Sequence, residues 1–447
     1  MILTGKGIDM KSFKRITTLG LLVILISVLR ADNSVIKHQN PQEKLTTRWK
    51  WAQDQAGDMK GGLWIGYSFR QLMGKNSFIR SFEDSRSSRP TLEMILEGKA
   101  DLQKEESVPD AARDALRSWD NLDKQIEVIA KDVAILFYFE GDKIDFNTIK
   151  DLKINSLNLP VNLKGKPLLW LGEVSQDESV SFLEDGYKKV KSAEIKEDLV
   201  TAIGLHRETS AAQDFLSGII NNDEDDDIRE KAVFWLGQAD NEDALKILVN
   251  TVKNDRSEDI REQAVFAISQ MKIESASSTL LNLAKQAKDP NVREKAVFWL
   301  GQQNSQEAME TLKDIIQGDA SPEVKEQAVF ALGQMKRPEA TDMLVDLARN
   351  ARDRGVRTKA IFWLGQKASA NVSEMLEDIA YEDDEGEVQK AAVFALSQLP
   401  ADEAVPALIK IARGHPNPEV RKNAIFWLGQ SGDERAIDAL VEMVKKK

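Results

Sequence analysis

One heptapeptide limits what this chain can fold into more than any other feature. Ala232-Val233-Phe234-Trp235-Leu236-Gly237-Gln238 recurs as AVFAISQ from 264, AVFWLGQ from 296, AVFALGQ from 328, AIFWLGQ from 360, AVFALSQ from 392 and AIFWLGQ from 424, each start 32 residues after the last. Two weaker copies, Leu169-Trp170-Leu171-Gly172 and Thr201-Ala202-Ile203-Gly204, extend the frame towards the N-terminus, so nine copies are expected. A unit this short cannot bury its own apolar face. It does so by stacking on neighbours, and the period therefore predicts a solenoid.

Each unit reads as two helices. Glu242 to Val252 places Ala244, Leu248 and Val252 at i, i+4 and i+8, a polar turn follows over Asn254 to Ser257, and Asp259 to Gln270 is the second helix. Asp289-Pro290 and Ser321-Pro322 occupy the same turn and suit a helix start. A longer period is superimposed on the first. The residue two before each Gly or Ser alternates Trp170, Ala202, Trp235, Ala267, Trp299, Ala331, Trp363, Ala395, Trp427. Large facing small would let successive layers interdigitate, and the repeating unit becomes a pair of 64 residues.

The stretch PEVKEQAVFALGQ, Pro322 to Gln334, resembles the bilin-lyase-like branch of HEAT repeats, and the resemblance covers about residues 165–447. It implies an all-α superhelix in which the outer side of the second helix lines the concave face. It also places the family's variable binding positions on Glu230, Lys231, Phe234, Gln238 and their copies. An independent helical wheel agrees: at about 100° per residue Ile228, Ala232, Trp235 and Leu236 share one arc, while Phe234 and Gln238 lie opposite.

The resulting rows are Phe234, Phe266, Phe298, Phe330, Phe362, Phe394 and Phe426, and beside them Gln238, Gln270, Gln302, Gln334, Gln366, Gln398 and Gln430. A long exposed aromatic stripe points to a protein or peptide partner. Two readings stand side by side: the rows bind, or the Phe rings stack between repeats and the Gln side chains bridge loops, holding the solenoid together.

Enzymatic relatives of the repeat set a test. Deoxyhypusine hydroxylase shares the Leu-Gly-Gln ending but holds two irons with His-Glu pairs upstream. The matching positions here are Glu230-Lys231, Glu262-Gln263, Glu294-Lys295, Glu326-Gln327, Thr358-Lys359, Lys390-Ala391 and Lys422-Asn423, and none is His-Glu. That activity is not expected, nor any metal or other cofactor. Bilin lyases act on a cytosolic substrate that an exported protein would rarely meet.

Export is the reading of the N-terminus. Met10-Lys11-Ser12-Phe13-Lys14-Arg15 is basic, Ile16 to Leu29 is largely apolar, and Arg30-Ala31-Asp32 follows, which is the layout of a signal peptide over residues 1–31, with Met10 as a possible start. The apolar run is short for a membrane span, which needs roughly 20 residues. An uncleaved anchor is the alternative, and no span is expected after cleavage. Periplasm or secretion follows.

Residues 32–44 read as a linker and 45–160 as a small α+β domain, leaving 161–447 to the solenoid. In the domain, Leu63 to Phe69 and Val133 to Phe139 read as strands, Lys124 to Ala130 as the hairpin partner of the latter, and Pro109 to Leu122 as a helix. The tryptophans Trp49, Trp51 and Trp64 are core or contact surface. Charge argues against nucleic acid: 61 Lys+Arg against 73 Asp+Glu leaves −12 and no basic stripe. Without Cys there is no disulfide, thiolate site or Cys nucleophile. The histidines, His38, His206 and His415, read as solvated surface residues. Asp223 to Asp227 has the alternating oxygens of a calcium loop, but Ile228 and Phe234 stand where its Gly and closing Glu belong. Acidic residues ahead of a helix already suit its N-terminus.

Together these predict an all-α solenoid of helical hairpins behind a small α+β domain, acting as an exported scaffold that holds a protein partner on its concave face. The alternative is an enzyme in residues 45–160, with the solenoid recruiting its substrate.

Overall fold

The computed structural model describes residues 35–57, 59, 61–74, 90–99, 128–141, 143–318, 321–367 and 372–445. The signal-like segment 1–31 and the helix expected over Pro109 to Leu122 lie outside them. Two compact units divide the chain, residues 1–235 and 236–447.

The first unit is built on a sheet of β1 (Val35–Lys37), β2 (Leu63–Gly74), β3 (Val128–Phe139), β4 (Ile149–Ser156) and β5 (Leu168–Glu173), in the order β1-β5-β2-β3-β4. Strands β1, β5 and β2 run parallel, whereas β3 and β4 are antiparallel to their neighbours. On β3, Val133, Ile135, Phe137 and Phe139 point one way and Ala134, Leu136 and Tyr138 the other, and all are buried. A strand covered on both faces needs such a continuous apolar run. On one face Trp49 of α1 (Leu45–Ala56) meets Phe137, Phe139, Phe146 and, from α3 (Gln176–Lys189), Phe182, at ring-centroid distances of 5.4, 5.9, 5.5 and 4.9 Å. On the other, Trp64, Leu136, Leu168 and Trp170 pack with Leu92 and Ile95 of α2 (Leu92–Leu96). Trp49 and Trp64 are therefore core, and Trp51 lies half-buried with its ring 5.0 Å from His38.

Three expectations change here. Residues 32–44 are not wholly linker, because Val35–Lys37 pairs with Leu168–Trp170. The strand expected over Lys124 to Ala130 is described only from Val128, and Val128 to Ala130 belongs to β3 itself, whose partners are β2 and β4. Leu169-Trp170-Leu171-Gly172 is not a repeat but strand β5. Leu168 to Leu171 are all buried, and an apolar run with no polar face suits a strand inside a sheet better than a helix on a surface. Ser175 then caps α3 by accepting from the Glu178 N–H.

Helices fill the rest of the chain. In the first unit α3 and α4 (Ala193–Gly204) form a hairpin, followed by α5 (Ser210–Asn222) and α6 (Asp226–Gly237), whose last turn passes into the second unit. That second unit continues with α7 (Glu242–Asn254), α8 (Glu258–Gln270), α9 (Glu274–Gln286), α10 (Pro290–Gln303), α11 (Gln306–Gln317) and α12 (Pro322–Gln334). It closes with α13 (Pro338–Asn350), α14 (Arg354–Lys367), α15 (Val372–Glu382), α16 (Gly386–Ser397), α17 (Ala401–Gly414), α18 (Pro418–Gln430) and α19 (Glu434–Lys445). Even numbers are second helices. Among the described residues the motif thus occupies eight of them, α4 to α18, and not nine.

The cation after Val or Ile in a second helix ties the preceding turn. Arg261 donates to the Asp255 carbonyl and to Asp289, both at 2.9 Å, and Arg357 does the same to the Ala351 carbonyl at 2.8 Å and Glu385 at 2.9 Å. His415 is not solvated but buried: its Nε2 donates to the Ala380 carbonyl at 2.7 Å and its Nδ1 accepts from the Asn417 N–H at 3.1 Å.

Candidate functional site on the second helices

The two forms of second helix pack differently. In the tryptophan form, a Cβ built on Gly237, Gly301 or Gly365 would sit 2.8, 2.9 or 3.0 Å from Ala267, Ala331 or Ala395 of the next second helix. In the alanine form, a Cβ on Gly333 would sit 2.2 Å from the indole of Trp363. The tryptophan therefore faces the glycine of the preceding repeat, and not its alanine. Backbone meets backbone across one gap and an indole fills the next. Accordingly α10–α12 and α14–α16 approach more closely than α8–α10, α12–α14 and α16–α18. Ser269 and Ser397 replace Gly only in the alanine form, where a side chain and not a backbone lies opposite.

The indoles are half-buried and carry the Phe row on their edges. Phe266 meets Trp299 at 4.8 Å, Trp299 meets Phe298 at 5.0 Å, and Phe298 stacks on Phe330 at 6.3 Å. Phe330 meets Trp363 at 5.3 Å, Trp363 meets Phe362 at 5.6 Å, and Phe362 stacks on Phe394 at 6.5 Å. Phe394 meets Trp427 at 5.1 Å and Trp427 meets Phe426 at 5.0 Å. Nine rings form one ladder from Phe266 to Phe426, while in the first unit Phe234 meets Trp235 at 5.4 Å. The ladder is not sealed: Phe234 and Phe362 are 40% exposed and Phe426 55%, with Phe266, Phe298, Phe330 and Phe394 half-buried. Stacking between repeats and solvent exposure coexist.

The glutamines sit one turn beyond, on the same face, and all seven are exposed. Gln270 and Gln398 donate only to the neighbouring Ser269 and Ser397, each at 3.1 Å. Loops are bridged by other residues: Asp240 accepts from the Ile273 N–H at 3.2 Å, Asn304 from the Lys336 N–H at 3.0 Å, and Lys367 donates to the Met335 carbonyl at 2.8 Å. On the hydroxylase-ligand positions, Glu262 pairs with Lys295 at 2.9 Å and Glu326 with Lys359 at 3.5 Å, across the gaps that hold an indole.

In the first unit the polar groups were not legible from sequence. Tyr67, Ser179 and His206 form a chain with 2.9 Å between Tyr67 Oη and Ser179 Oγ and 2.9 Å between Ser179 Oγ and His206 Nε2. His206, expected at the surface, is fully buried, and burial pushes its pKa down to about 3. Ser179 and Tyr67 are equally sealed, so no substrate reaches this serine in the present arrangement. An open cleft of about 970 Å³ lies between the start of α1 and α3, lined by Glu43, Glu173, Asp177, Glu178 and Asp185 around Arg48. The Arg48 guanidinium is committed to the carbonyls of Leu171 and Glu173 at 2.7 and 3.1 Å. The run Asp223 to Asp227 is used locally: Asp223 accepts from Tyr187 Oη at 2.5 Å and from the Asp225 N–H at 3.0 Å, and Asp225 from the Asp227 N–H at 3.0 Å.

The sequence profile of HEAT repeats matches residues 180–269, 212–289, 277–365 and 373–447. No curated protein sequence matches the chain. Among solved structures, the complex of CpcE and CpcF of phycocyanin lyase from Nostoc sp. PCC7120 is similar at 19% identity over 53% of this chain and 92% of that one, with a TM-score of 0.26. Human deoxyhypusine hydroxylase is similar at 18% identity over 49% of this chain and 84% of that one, with a TM-score of 0.24. The karyopherin Kap121p, bound to the extreme C-terminus of the phosphatase Cdc14p, is similar at 14% identity over 61% of this chain and 35% of that one, with a TM-score of 0.35. With its repeats matched over more than half its length, the chain belongs to the HEAT repeat family.

Proposed function

We propose that this chain is a non-enzymatic scaffold that binds a protein or peptide partner on the Phe and Gln face of its second helices. The observation that carries the reading is the row of exposed amides. A glutamine stands solvent-facing at the same place in every repeat from α6 to α18, while Asp240, Asn304 and Lys367 do the bridging between loops. Solvent-facing amides beside partly exposed aromatic rings are what a contact surface requires. In the second unit the second helices also lie closer together than the first helices do. A stack tighter on one layer curves towards it, which supports reading this face as the concave one. An acidic chain fits a protein partner better than nucleic acid.

A photo-crosslinking residue at position 334 should capture the partner, whereas one at Lys313 on a first helix should not. Replacing Phe298, Phe330 and Phe362 with Ser should lower capture at least tenfold while the protein stays folded. Each ring also contributes about 0.5–1.5 kcal/mol through its aromatic pairs, so a modest fall in stability is expected. Capture through 313 alone, or capture that survives the triple substitution, would remove the assignment.

Export belongs to the same proposal. Cleavage near Ala31 would leave every described strand intact, since β1 begins at Val35. Intact mass of the protein recovered outside the cytoplasm should give an N-terminus near Asp32, and a Met1 or Met10 start would favour an uncleaved anchor.

A further inference from the structure

The Phe and Gln rows are uniform, but the charges beside them are not. One to two turns before each Phe, the same helix face carries Asp259 and Glu262 on α8, Glu294 and Lys295 on α10, and Glu323 and Glu326 on α12. On α14 to α18 the cations in this row all have partners: Lys359 pairs with Glu326 at 3.5 Å, Lys390 with Glu387 at 3.1 Å and Lys422 with Glu419 at 2.6 Å. Glu262 holds Lys295 at 2.9 Å, which leaves Asp259, Glu294 and Glu323 without an ion pair among the described residues. Uncompensated negative charge therefore runs beside the ladder on α8, α10 and α12 and stops there. Lys272 and Lys336 stand on the far edge, two residues past Gln270 and Gln334, so the two edges of this stretch differ in sign.

Two of these carboxylates flank a stacked pair of rings. Phe298 and Phe330 lie 6.3 Å apart, half-buried, on the helices that carry Glu294 and Glu323, and Gln302 and Gln334 are exposed one turn beyond. Side chains on one side of an extended chain recur at about 6.7 Å, so every second residue of such a chain would meet one ring of the pair. Arginine suits both surfaces, because its stem and planar head cover an aromatic face while the same head pairs with a carboxylate. A carboxamide donates and accepts as a peptide group does, so the uniform glutamines fit a main chain of any sequence. We propose that Glu294, Phe298, Glu323 and Phe330 bind two cationic side chains, two residues apart, on an extended segment of the partner. This partner chemistry rests on the scaffold reading, in which the same face is the contact surface. An internal control exists at the stacked pair Phe362 and Phe394, 6.5 Å apart, where Thr358 stands in place of Glu294 and Glu387 is held by Lys390.

The probe is a terminally blocked heptapeptide that alternates serine with arginine. It should bind the full chain saturably, and the same peptide with glutamine for each arginine should not bind. Glu294→Gln with Glu323→Gln should weaken binding at least tenfold, whereas Glu387→Gln with Glu419→Gln should leave it unchanged. Absence of saturable binding would overturn the proposal. An equal loss in the two double variants would overturn it as well, by tracing the binding to the net charge of the chain. Partner capture through position 334 that persists undiminished in the Glu294→Gln, Glu323→Gln variant would remove the cationic segment and leave the contact face standing. Failure of that capture in the wild type would remove the face itself.

Discussion

Gly301→Ala is expected to destabilise the second unit by about 1 kcal/mol, although alanine is the better helix former. Its new methyl would lie 2.9 Å from the Cα and carbonyl oxygen of Ala331, so the whole of α12 would have to move away from α10. Overpacking a tight contact of this kind costs typically about 1–3 kcal/mol, more than the roughly 1 kcal/mol that replacing a helical glycine returns. Two controls separate the contact from propensity. Gly429→Ala, with nothing within 4 Å, should stabilise by about 0.5–1 kcal/mol. Gly333→Ser should change stability by less than about 1 kcal/mol, because Ser269 and Ser397 already occupy the equivalent position in the other alanine-form helices. Denaturant midpoints of the three variants decide the matter. A loss in Gly333→Ser as large as in Gly301→Ala would refute the alternating-gap description.

The second large effect concerns acid. Burial holds His206 well below its ordinary value, at about 3, so between pH 6.5 and 3 the unfolded chain binds a proton that the folded chain does not. The unfolded state gains from protonation in that window, and stability falls as pH is lowered, by about 1.4 kcal/mol per unit. Between pH 6.5 and pH 4 the loss from this one group is about 3 kcal/mol. Asp198 has the opposite sign: burial raises it to about 6, so the folded state holds a proton more tightly and gains as pH falls through that value. The informative quantity is therefore the difference between the wild type and His206→Gln, followed by the fluorescence of the buried Trp49 and Trp64 during unfolding at each pH. The wild type should lose stability more steeply towards acid than the variant. Parallel profiles would mean that His206 is protonated in the folded state.

Much of the helical architecture was legible because it rests on residues within one unit. Ala244, Leu248 and Val252 announce a buried face, and Ser321 with Pro322 announces a helix start. The same logic misread Leu169 to Gly172, whose four-residue match to the motif falls in frame by coincidence. A helix needs a polar face as well as an apolar one, and Leu168 to Leu171 has none. The candidate site was legible as rows of residue types, since Phe234 and Gln238 recur at one wheel position. What they touch was not, because ring distances depend on how far apart adjacent helices sit. The histidines failed for a related reason: burial of His206 comes from Phe69 and Ser179, which lie far away in the chain.

The sequence by itself determined that this protein is a stack of helical hairpins and which side chains recur on each second helix, because a period of 32 residues leaves no other way to bury the apolar stripe. It also determined that two kinds of layer alternate. Only the tertiary structure decided what the alternation does, namely that glycine on alanine closes one gap while tryptophan on glycine opens the next and turns the Phe row into a ladder. The reason is that spacing between helices is set by the pair of side chains that meet there, and the sequence names each partner without saying which one it faces.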